Sequence, residues 1–147
     1  MLPKTFKNKT VAIFGLGVEG IDLLDYLYNE GAKIKLYDQK SNDKILNILE
    51  KFDKKQVEAH FGKVPENSIK DVKYAFVSQG IPLKSPQLEI INKNNIQIES
   101  MASLFFNRCN APIIGITGTS GKTTTTALVQ SILEQGNHDY VIGGNIG

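Results

Sequence analysis

Eight consecutive residues in the last third of the chain have the types and spacing of a phosphate-binding loop: Thr117-Gly118-Thr119-Ser120-Gly121-Lys122-Thr123-Thr124. Glycine lets a phosphate approach the backbone, and the N–H groups and dipole of a helix start attract the anion. Lys122 would bring a positive charge to the β- and γ-phosphates, and the Thr123 hydroxyl would be a Mg²⁺ ligand. The pattern therefore predicts an ATP site at residues 118–124, with Lys122 and Thr123 as the catalytic pair. It lacks only the first glycine of G-x-x-x-x-G-K-[ST], replaced by Ile116; a glycine-rich helix start that binds nothing is the alternative.

A second glycine loop lies near the amino terminus and reads Gly15-Leu16-Gly17-Val18-Glu19-Gly20. It matches the G-x-G-x-x-G of dinucleotide-binding folds, and Asp38 stands about where a ribose-binding carboxylate would follow. Taken alone, this pattern predicts NAD. The alternative is that the glycines serve only a tight turn and close helix packing. Glu19 suits the helix dipole but would repel a diphosphate if it pointed inward, whereas Gln39 and Lys40 are suited to an anionic or uracil-like group.

A third loop, Ser78-Gln79-Gly80-Ile81-Pro82, follows a later apolar strand. The carboxyl ends of parallel strands meet at one edge of a sheet, so we expect this loop beside the first glycine loop. A turn that merely needs glycine and proline is the alternative.

Strands and helices alternate along the first hundred residues, which predicts an α/β fold with a parallel sheet covered on both faces. Short apolar or alternating runs predict strands, and apolar residues at helical spacing predict the helices between them. The predicted strands lie at residues 10–14, 33–38, 57–61, 74–77 and 96–98.

The pattern changes from Met101 onward. We expect a short helix ending near Arg108, a buried strand at residues 112–116, a helix after the phosphate loop ending at Gly136, and a strand at 140–142. This organisation predicts two domains, a Rossmann-like domain at residues 1–100 and the beginning of a P-loop ATP-binding domain at 101–147. Two strands and one helix cannot cover their own sheet, so we expect the chain to be the front of a longer protein.

Composition narrows the class of protein without identifying it. The 147 residues are 41% hydrophobic and 22% charged, with a formal net charge of +2, which predicts a cytoplasmic globular protein with no need for nucleic acid or a membrane. Cys109, His60 and His138 do not have metal-ligand spacing. Arg108, the one arginine, carries no predicted function. Oligomeric state is open.

The motifs in this order resemble the Mur ligase family, in particular the members that add D-glutamate to a peptidoglycan precursor. The resemblance covers the whole chain. Its motifs are Ile13-Phe14-Gly15-Leu16-Gly17, Val77-Ser78-Gln79-Gly80-Ile81-Pro82, Gly115-Ile116-Thr117-Gly118-Thr119-Ser120-Gly121-Lys122-Thr123 and Gly143-Gly144-Asn145-Ile146-Gly147.

The resemblance implies that the first domain holds the UDP part of UDP-N-acetylmuramoyl-L-alanine and that the second binds ATP and Mg²⁺. Transfer of the γ-phosphoryl group to the substrate carboxylate would give an acyl phosphate, which the amine of D-glutamate attacks, releasing phosphate. The positions implied for the UDP-sugar site are Gly17, Val18, Glu19, Gln39, Lys40, Ser78, Gln79, Gly80 and, near the substrate phosphates, Asn145.

Three positions depart from the family pattern: Glu19 stands where serine or threonine is usual, Gln79 where proline is usual, and Ser120 where asparagine is usual. An acidic motif before the second domain is also replaced by residues 100–103. We expect these changes to affect affinity for the UDP substrate more than ATP binding. Two other functions stay open, namely a fragment of an NAD-binding oxidoreductase, which leaves the phosphate loop unexplained, and a UDP-ligand-binding module without catalytic activity.

Overall fold

The computed structural model describes residues 2–144 of the chain. It divides into two compact units, Met1–Cys109 and Asn110–Gly147. The sequence predicts a domain boundary at 100/101 instead, and the two divisions differ by one short helix, Met101–Arg108. The domain assignment itself stays a prediction.

The first unit is built on a five-stranded parallel sheet, as the alternating pattern predicts. Its strands run in the order β3-β2-β1-β4-β5, so the first strand in sequence is central. β1 lies between its neighbours with Phe14 opposite Tyr37 on one side and Val77 on the other. The strand bounds are β1 Thr10–Phe14, β2 Lys33–Asp38, β3 Val57–Phe61, β4 Tyr74–Val77 and β5 Gln97–Glu99.

Helices connect these strands and confirm the predicted alternation. Three begin with a side-chain cap: Asn42 accepts from the Ile45 N–H at the start of α2, Ser85 accepts from the Leu88 N–H at the start of α3, and Ser100 forms a capping box at the start of α4. A short 3-10 helix, Glu66–Ile69, precedes β4. The helix bounds are α1 Val18–Asn29, α2 Asp43–Leu49, α3 Pro86–Lys93 and α4 Met101–Arg108.

Two hydrophobic clusters cover the two faces of the sheet. Successive residues of β1 alternate between them, with Val11 and Ile13 in one and Ala12 and Phe14 in the other, as the period of two in a strand requires. α1 and α4 contribute to the first cluster, and α3 with the 3-10 helix contributes to the second. The predicted burial of the sheet on both faces is confirmed.

The amino-terminal segment and α4 are joined to α1 by Arg108. Its guanidinium donates to the Pro3 carbonyl at 2.9 Å and to the Tyr26 hydroxyl at 3.2 Å. It also lies over the Phe6 ring, 5.5 Å from the centroid, and 3.7 Å from a Glu30 carboxylate oxygen. Burial, followed by its hydrogen bond to Glu30, raises the pKa of Tyr26, so this hydroxyl stays protonated as a donor.

The second unit contains helix α5, Lys122–Gln135, preceded by the phosphate loop. The predicted strands at residues 112–116 and 140–142 are wrong, because the structure gives both segments no strand assignment. A strand is defined by its hydrogen bonds to a neighbouring strand, and neither segment pairs with another among the described residues of this unit. The predicted helix and its end at Gly136 are confirmed. Across residues 2–144, no helix combines the length and the apolar character needed to cross a membrane.

Candidate functional site

The first glycine loop bends sharply between β1 and α1. Gly15 adopts φ +91°, a conformation that favours glycine, and its N–H donates to the Tyr37 carbonyl at 2.9 Å. A Cβ on Gly20 would lie 2.1 Å from the Gly15 carbonyl oxygen, whereas a Cβ on Gly17 would meet no atom within 4 Å. Two of the three glycines therefore serve the turn and the helix packing, while Gly17 leaves open space.

Asp38, at the end of β2, is turned toward backbone. One of its carboxylate oxygens accepts from the Leu16 N–H at 2.7 Å and the other from the Lys40 N–H at 3.1 Å. The sequence pattern places a ribose-binding carboxylate at this position, but the structure engages both oxygens within the protein. Asp38 connects the loop after β1 with the loop after β2.

The loops after β1 and β4 also meet. A Cβ on Gly15 would lie 2.9 Å from the Ser78 Cβ, so only glycine allows this approach. An open cleft runs along the contact and is lined by Glu19, Gly20, Ser78 and Met101, among others. Glu19 is among the residues that line this cleft and is exposed.

The structure brings the predicted UDP-site positions of the first unit to one edge of the sheet. They follow β1, β2 and β4, the three central strands, at their carboxyl ends. Val18 is 79% exposed, and most of the others are also exposed. These positions are Gly17, Val18, Glu19, Gln39, Lys40, Ser78, Gln79 and Gly80. Asn145, the remaining predicted position, lies outside the described residues.

Aromatic rings support this edge from one face of the sheet. Phe14 stacks on Tyr37 at 4.7 Å between centroids, and Tyr37 stacks on His60 at 5.1 Å. Burial raises the pKa of Tyr37, and its hydroxyl lies 2.9 Å from the Ser68 hydroxyl oxygen. The three rings come from neighbouring strands β1, β2 and β3, so they hold the strand ends that carry the loops.

The two helices that follow glycine loops begin differently from the other three. The N-cap residue is Gly17 for α1 and Gly121 for α5, and neither helix has a side-chain cap. The first intrahelical bonds are donated by Ile21 and Thr125, which leaves the N–H groups of the preceding turn without helical acceptors. Such N–H groups, together with the helix dipole, favour an anion at both helix starts.

Two glycines of the predicted phosphate loop in the second unit adopt positive φ angles. Gly118 has φ +154° and Gly121 has φ +76°. The Lys122 ammonium donates to the Gly118 carbonyl at 2.6 Å, so in this structure the lysine closes over its own loop. The hydroxyls of Thr125 and Thr126 donate back to the carbonyls of residues 121 and 122, whereas no protein partner is found for the Thr123 hydroxyl within residues 2–144.

This loop suits a nucleoside triphosphate better than a metal ion alone. Free N–H groups, Lys122 and an open backbone at Gly121 are the groups that bind phosphate oxygens. Thr123 supplies one hard oxygen, and the described part of the chain has no group of three or more His, Cys, Asp or Glu side chains that could hold a metal ion. Mg²⁺ bound here would take most of its ligands from phosphate and water.

Two residues that organise the first unit were not assigned these roles from the sequence. Asp38, which the glycine pattern alone would make a ribose ligand, also connects two loops, and Arg108, for which the sequence predicts no function, joins α4 to α1 and the amino terminus. The position of Asp38 after β2 could have suggested the loop contact. For Arg108, no local pattern indicates partners about 80 to 105 residues earlier in the chain.

The strand order and the glycine loop after the central strand define a Rossmann-like α/β fold of the nucleotide-binding kind. Residues 9–100 match the family model described as Mur ligase MurD-like, N-terminal domain. The chain therefore belongs to the Mur ligase family, with an amino-terminal domain of the MurD-like kind.

Known proteins with similar sequence or fold agree with this family. The chain is 32% identical over 144 residues to the UDP-N-acetylmuramoylalanine--D-glutamate ligase of Acetivibrio thermocellus, covering 98% of this chain and 31% of that protein. It is 36% identical to the protein of the same name from Alkaliphilus metalliredigens, with 96% and 31% coverage. Among solved structures, the pseudomurein peptide ligase type C from Methanothermus fervidus has a similar fold, with a TM-score of 0.59 at 23% identity over 87% of this chain and 26% of that one. The chain thus spans about a third of the length of these curated relatives.

Proposed function

We propose that this chain provides the UDP-substrate-binding part, and the beginning of the ATP-binding part, of a cytoplasmic ligase for peptidoglycan precursors. The whole enzyme would join D-glutamate to UDP-N-acetylmuramoyl-L-alanine at the expense of ATP. The similar proteins are named as ligases of this kind, and because the chain covers 31% of each of them, turnover is proposed for the whole ligase.

The observation that carries the proposal is the shared start of α1 and α5. Each follows a glycine loop, each has glycine as its N-cap residue, and neither has the side-chain cap that α2, α3 and α4 possess. A helix start without a cap leaves several N–H groups for an external acceptor. A ligase that uses both a UDP-linked substrate and ATP needs two such phosphate sites.

In the first unit, the diphosphate of the UDP substrate would lie against Gly17 and the first turn of α1, where a Cβ would meet nothing. Gln39 and Lys40 follow β2 and would contact the nucleoside end, with Lys40 adding positive charge. The Ser78-Gln79-Gly80 turn would close the other side of the cleft next to Gly15. Asn145 stays a prediction for the substrate phosphates.

In the second unit, residues 118–124 would hold ATP. Lys122 would leave the Gly118 carbonyl to contact the β- and γ-phosphates, the first-turn N–H groups of α5 would bind phosphate oxygens, and Thr123 would be a ligand of Mg²⁺. ATP supplies the phosphoryl group that activates the substrate carboxylate, and Mg²⁺ neutralises phosphate charge. Most of the catalytic work of such a site is positioning and charge neutralisation, which these groups are suited to do.

An NAD-dependent oxidoreductase shares the G-x-G-x-x-G loop, and its ribose hydroxyls would donate to a carboxylate at the end of the second strand. Asp38 stands there and accepts two backbone N–H groups, which leaves further acceptor sites on the carboxylate. The oxidoreductase is ranked second because it gives no role to the loop at residues 117–124.

Isothermal titration calorimetry tests the proposal on the purified chain with UDP-N-acetylmuramoyl-L-alanine, NAD and magnesium ATP as ligands. We expect binding of the UDP compound, no measurable NAD binding, and ATP binding that Lys122→Ala weakens by about tenfold or more, because a charged contact to phosphate contributes about 1.5–3 kcal/mol. Lys122→Ala should leave affinity for the UDP compound unchanged.

Lys93→Ala is the matched control, because Lys93 is exposed in the last turn of α3 and belongs to neither loop. Tight NAD binding without binding of the UDP compound would replace the proposed function with the oxidoreductase.

A further inference from the structure

The first glycine loop has few constraints of its own. Gly17 is an uncapped helix start with open space around it, and glycine has more backbone freedom to lose than any other residue. Two hydrogen bonds tie the loop to β2: the Gly15 N–H donates to the Tyr37 carbonyl at 2.9 Å, and the Leu16 N–H donates to the Asp38 carboxylate at 2.7 Å. The second is short and involves a charged acceptor, which makes it the stronger kind.

The same carboxylate holds the loop after β2. Its other oxygen accepts the Lys40 N–H at 3.1 Å, two residues along the chain, so the local backbone is folded into a turn around the Asp38 side chain. One carboxylate therefore fixes the residue immediately before Gly17 and the residue that carries the Lys40 ammonium. These are the two sides of the edge at which the UDP substrate is proposed to bind.

We propose that Asp38 is a positioning residue for the UDP substrate, acting through the Leu16 and Lys40 backbone and making no direct contact with a ribose. This inference rests on the proposed function of the first unit. A loop held in its bound geometry before the ligand arrives does not lose that freedom on binding, so the affinity is higher. Removing the carboxylate frees the glycine loop and the Lys40 turn. The ligand must then order both of them when it binds, which lowers its affinity.

Two substitutions test the role in the complete 147-residue chain. Asp38→Asn has a similar shape but one acceptor oxygen, so it can keep only one of the two bonds, and Asp38→Ala keeps neither. Asp25→Asn is the control, because Asp25 is an exposed residue of α1 outside the loops. The measurements are amide hydrogen exchange at Leu16 and Lys40 by NMR without ligand, and calorimetric affinities for UDP-N-acetylmuramoyl-L-alanine, NAD and magnesium ATP.

We expect Asp38→Asn to speed exchange at one or both of the Leu16 and Lys40 amides and to weaken binding of the UDP compound about tenfold, with a larger loss for Asp38→Ala. Affinity for magnesium ATP should not change, which separates positioning from general loss of fold. Asp25→Asn should change none of these values. If Asp38→Ala does not fold, Asp38→Asn still gives both readouts.

Failure of the inference and failure of the proposed function give different results. Unchanged exchange at both amides, or unchanged affinity of Asp38→Asn for the UDP compound, overturns the positioning role while the function stands. If the unmodified chain does not bind the UDP compound, the proposed function falls, and exchange at Leu16 and Lys40 alone then decides whether Asp38 positions the loops. NAD binding that Asp38→Asn abolishes would overturn both, because it would make Asp38 a ribose ligand.

Discussion

Two glycines of the first loop do opposite things although they are three residues apart. A methyl group on Gly20 would lie 2.1 Å from the Gly15 carbonyl oxygen, a distance that real atoms do not reach, whereas a methyl group on Gly17 would meet nothing within 4 Å. Gly20 is needed for α1 to pack close to β1. Gly17 keeps space that the proposed diphosphate would use.

This difference predicts a larger loss of stability for alanine at Gly20 than for alanine at Gly17. Gly20→Ala should lower the free energy of unfolding by about 1–2 kcal/mol, because overpacking at the upper end of its usual range of roughly 1–3 kcal/mol exceeds the gain of about 0.8–1.0 kcal/mol from helix propensity. Gly17→Ala should lower it less, by about 0.5–1 kcal/mol, because φ −68° suits alanine and the remaining cost is that alanine is a poorer N-cap residue than glycine.

Urea unfolding followed by circular dichroism measures both values. Gly17→Ala is the control for Gly20→Ala in stability, and it should weaken binding of the UDP compound because its methyl group enters the proposed diphosphate space. A Gly20→Ala chain as stable as the unmodified one would contradict the close helix approach.

The sequence predicts the role of a single residue only where a spacing pattern allows few residue types. The glycine turn at residues 15–20 follows from spacing, because few residue types tolerate that backbone. The loop contacts of Asp38 do not, because a carboxylate at the end of a second strand can accept from a ligand or from the neighbouring loop, and the local sequence is the same in both cases. The roles of Lys122 and Thr123 in ATP binding stay predictions.

At the scale of elements, α4 is held to the rest of the first unit through its last residue. Arg108 contacts Pro3, Tyr26 and Phe6 and lies near Glu30. These contacts come from the amino-terminal segment and from α1, so one side chain joins three parts of the chain that are distant in sequence. Leu104 adds the only fully buried contact of α4 to the first core among the described residues.

Arg108→Ala should therefore loosen α4 and the amino terminus together. We expect a loss of about 1–3 kcal/mol in the free energy of unfolding, from the hydrogen bonds to Pro3 and Tyr26 and the contact with the Phe6 ring. The midpoint of urea unfolding should fall with little change in its slope. Lys93→Ala, which removes an exposed basic residue from the last turn of α3, should change the midpoint little. Equal midpoints for the two variants would show that Arg108 does not join these elements.

The strands that the sequence predicts correctly are those that pair with a neighbouring strand of the sheet. β1, β2 and β4 appear where apolar or alternating residues predict strands, since each is buried and paired. Residues 112–116 have an equally apolar pattern but no partner strand among the described residues. Apolar runs predict the tendency to form a strand, whereas hydrogen bonding to a neighbour decides whether one forms, and a single segment does not contain that information.

At the scale of the whole molecule, the two units differ in how much they bury. The first unit contains both hydrophobic clusters, whereas α5 has no buried residue. Leu128 is 62% exposed and Ile132 is 68% exposed on that helix. Helical stability in proteins comes mostly from packing of an apolar face, and within residues 2–144 no such packing buries a residue of α5.

Amide hydrogen exchange should separate the two units in the 147-residue chain. We expect the amides of β1, which are central and paired on both sides, to exchange at the rate set by global unfolding, and those of α5 to exchange faster by at least about a hundredfold, because local opening there exposes little new apolar surface. The amides of α3, a helix with buried Leu88 and Ile91, are the control for a helix that packs on the sheet. Protection of α5 equal to that of α3 would contradict this difference.

Because all the strands of the sheet run parallel, the loops at their carboxyl ends and the turns at their amino ends lie at opposite edges. The loops of the proposed UDP site all leave the sheet at the carboxyl ends of β1, β2 and β4, whereas the turn at Asn94 and Asn95 precedes β5 and lies at the other end of the strands. Asn95 has φ +52°, and both residues are exposed. A fluorescent label or a surface tether attached near this turn would leave the proposed UDP-site edge facing solution. Asn94 and Asn95 themselves should be kept, because the Asn94 side chain donates to the Ile90 carbonyl at 2.8 Å and a left-handed backbone favours asparagine at position 95.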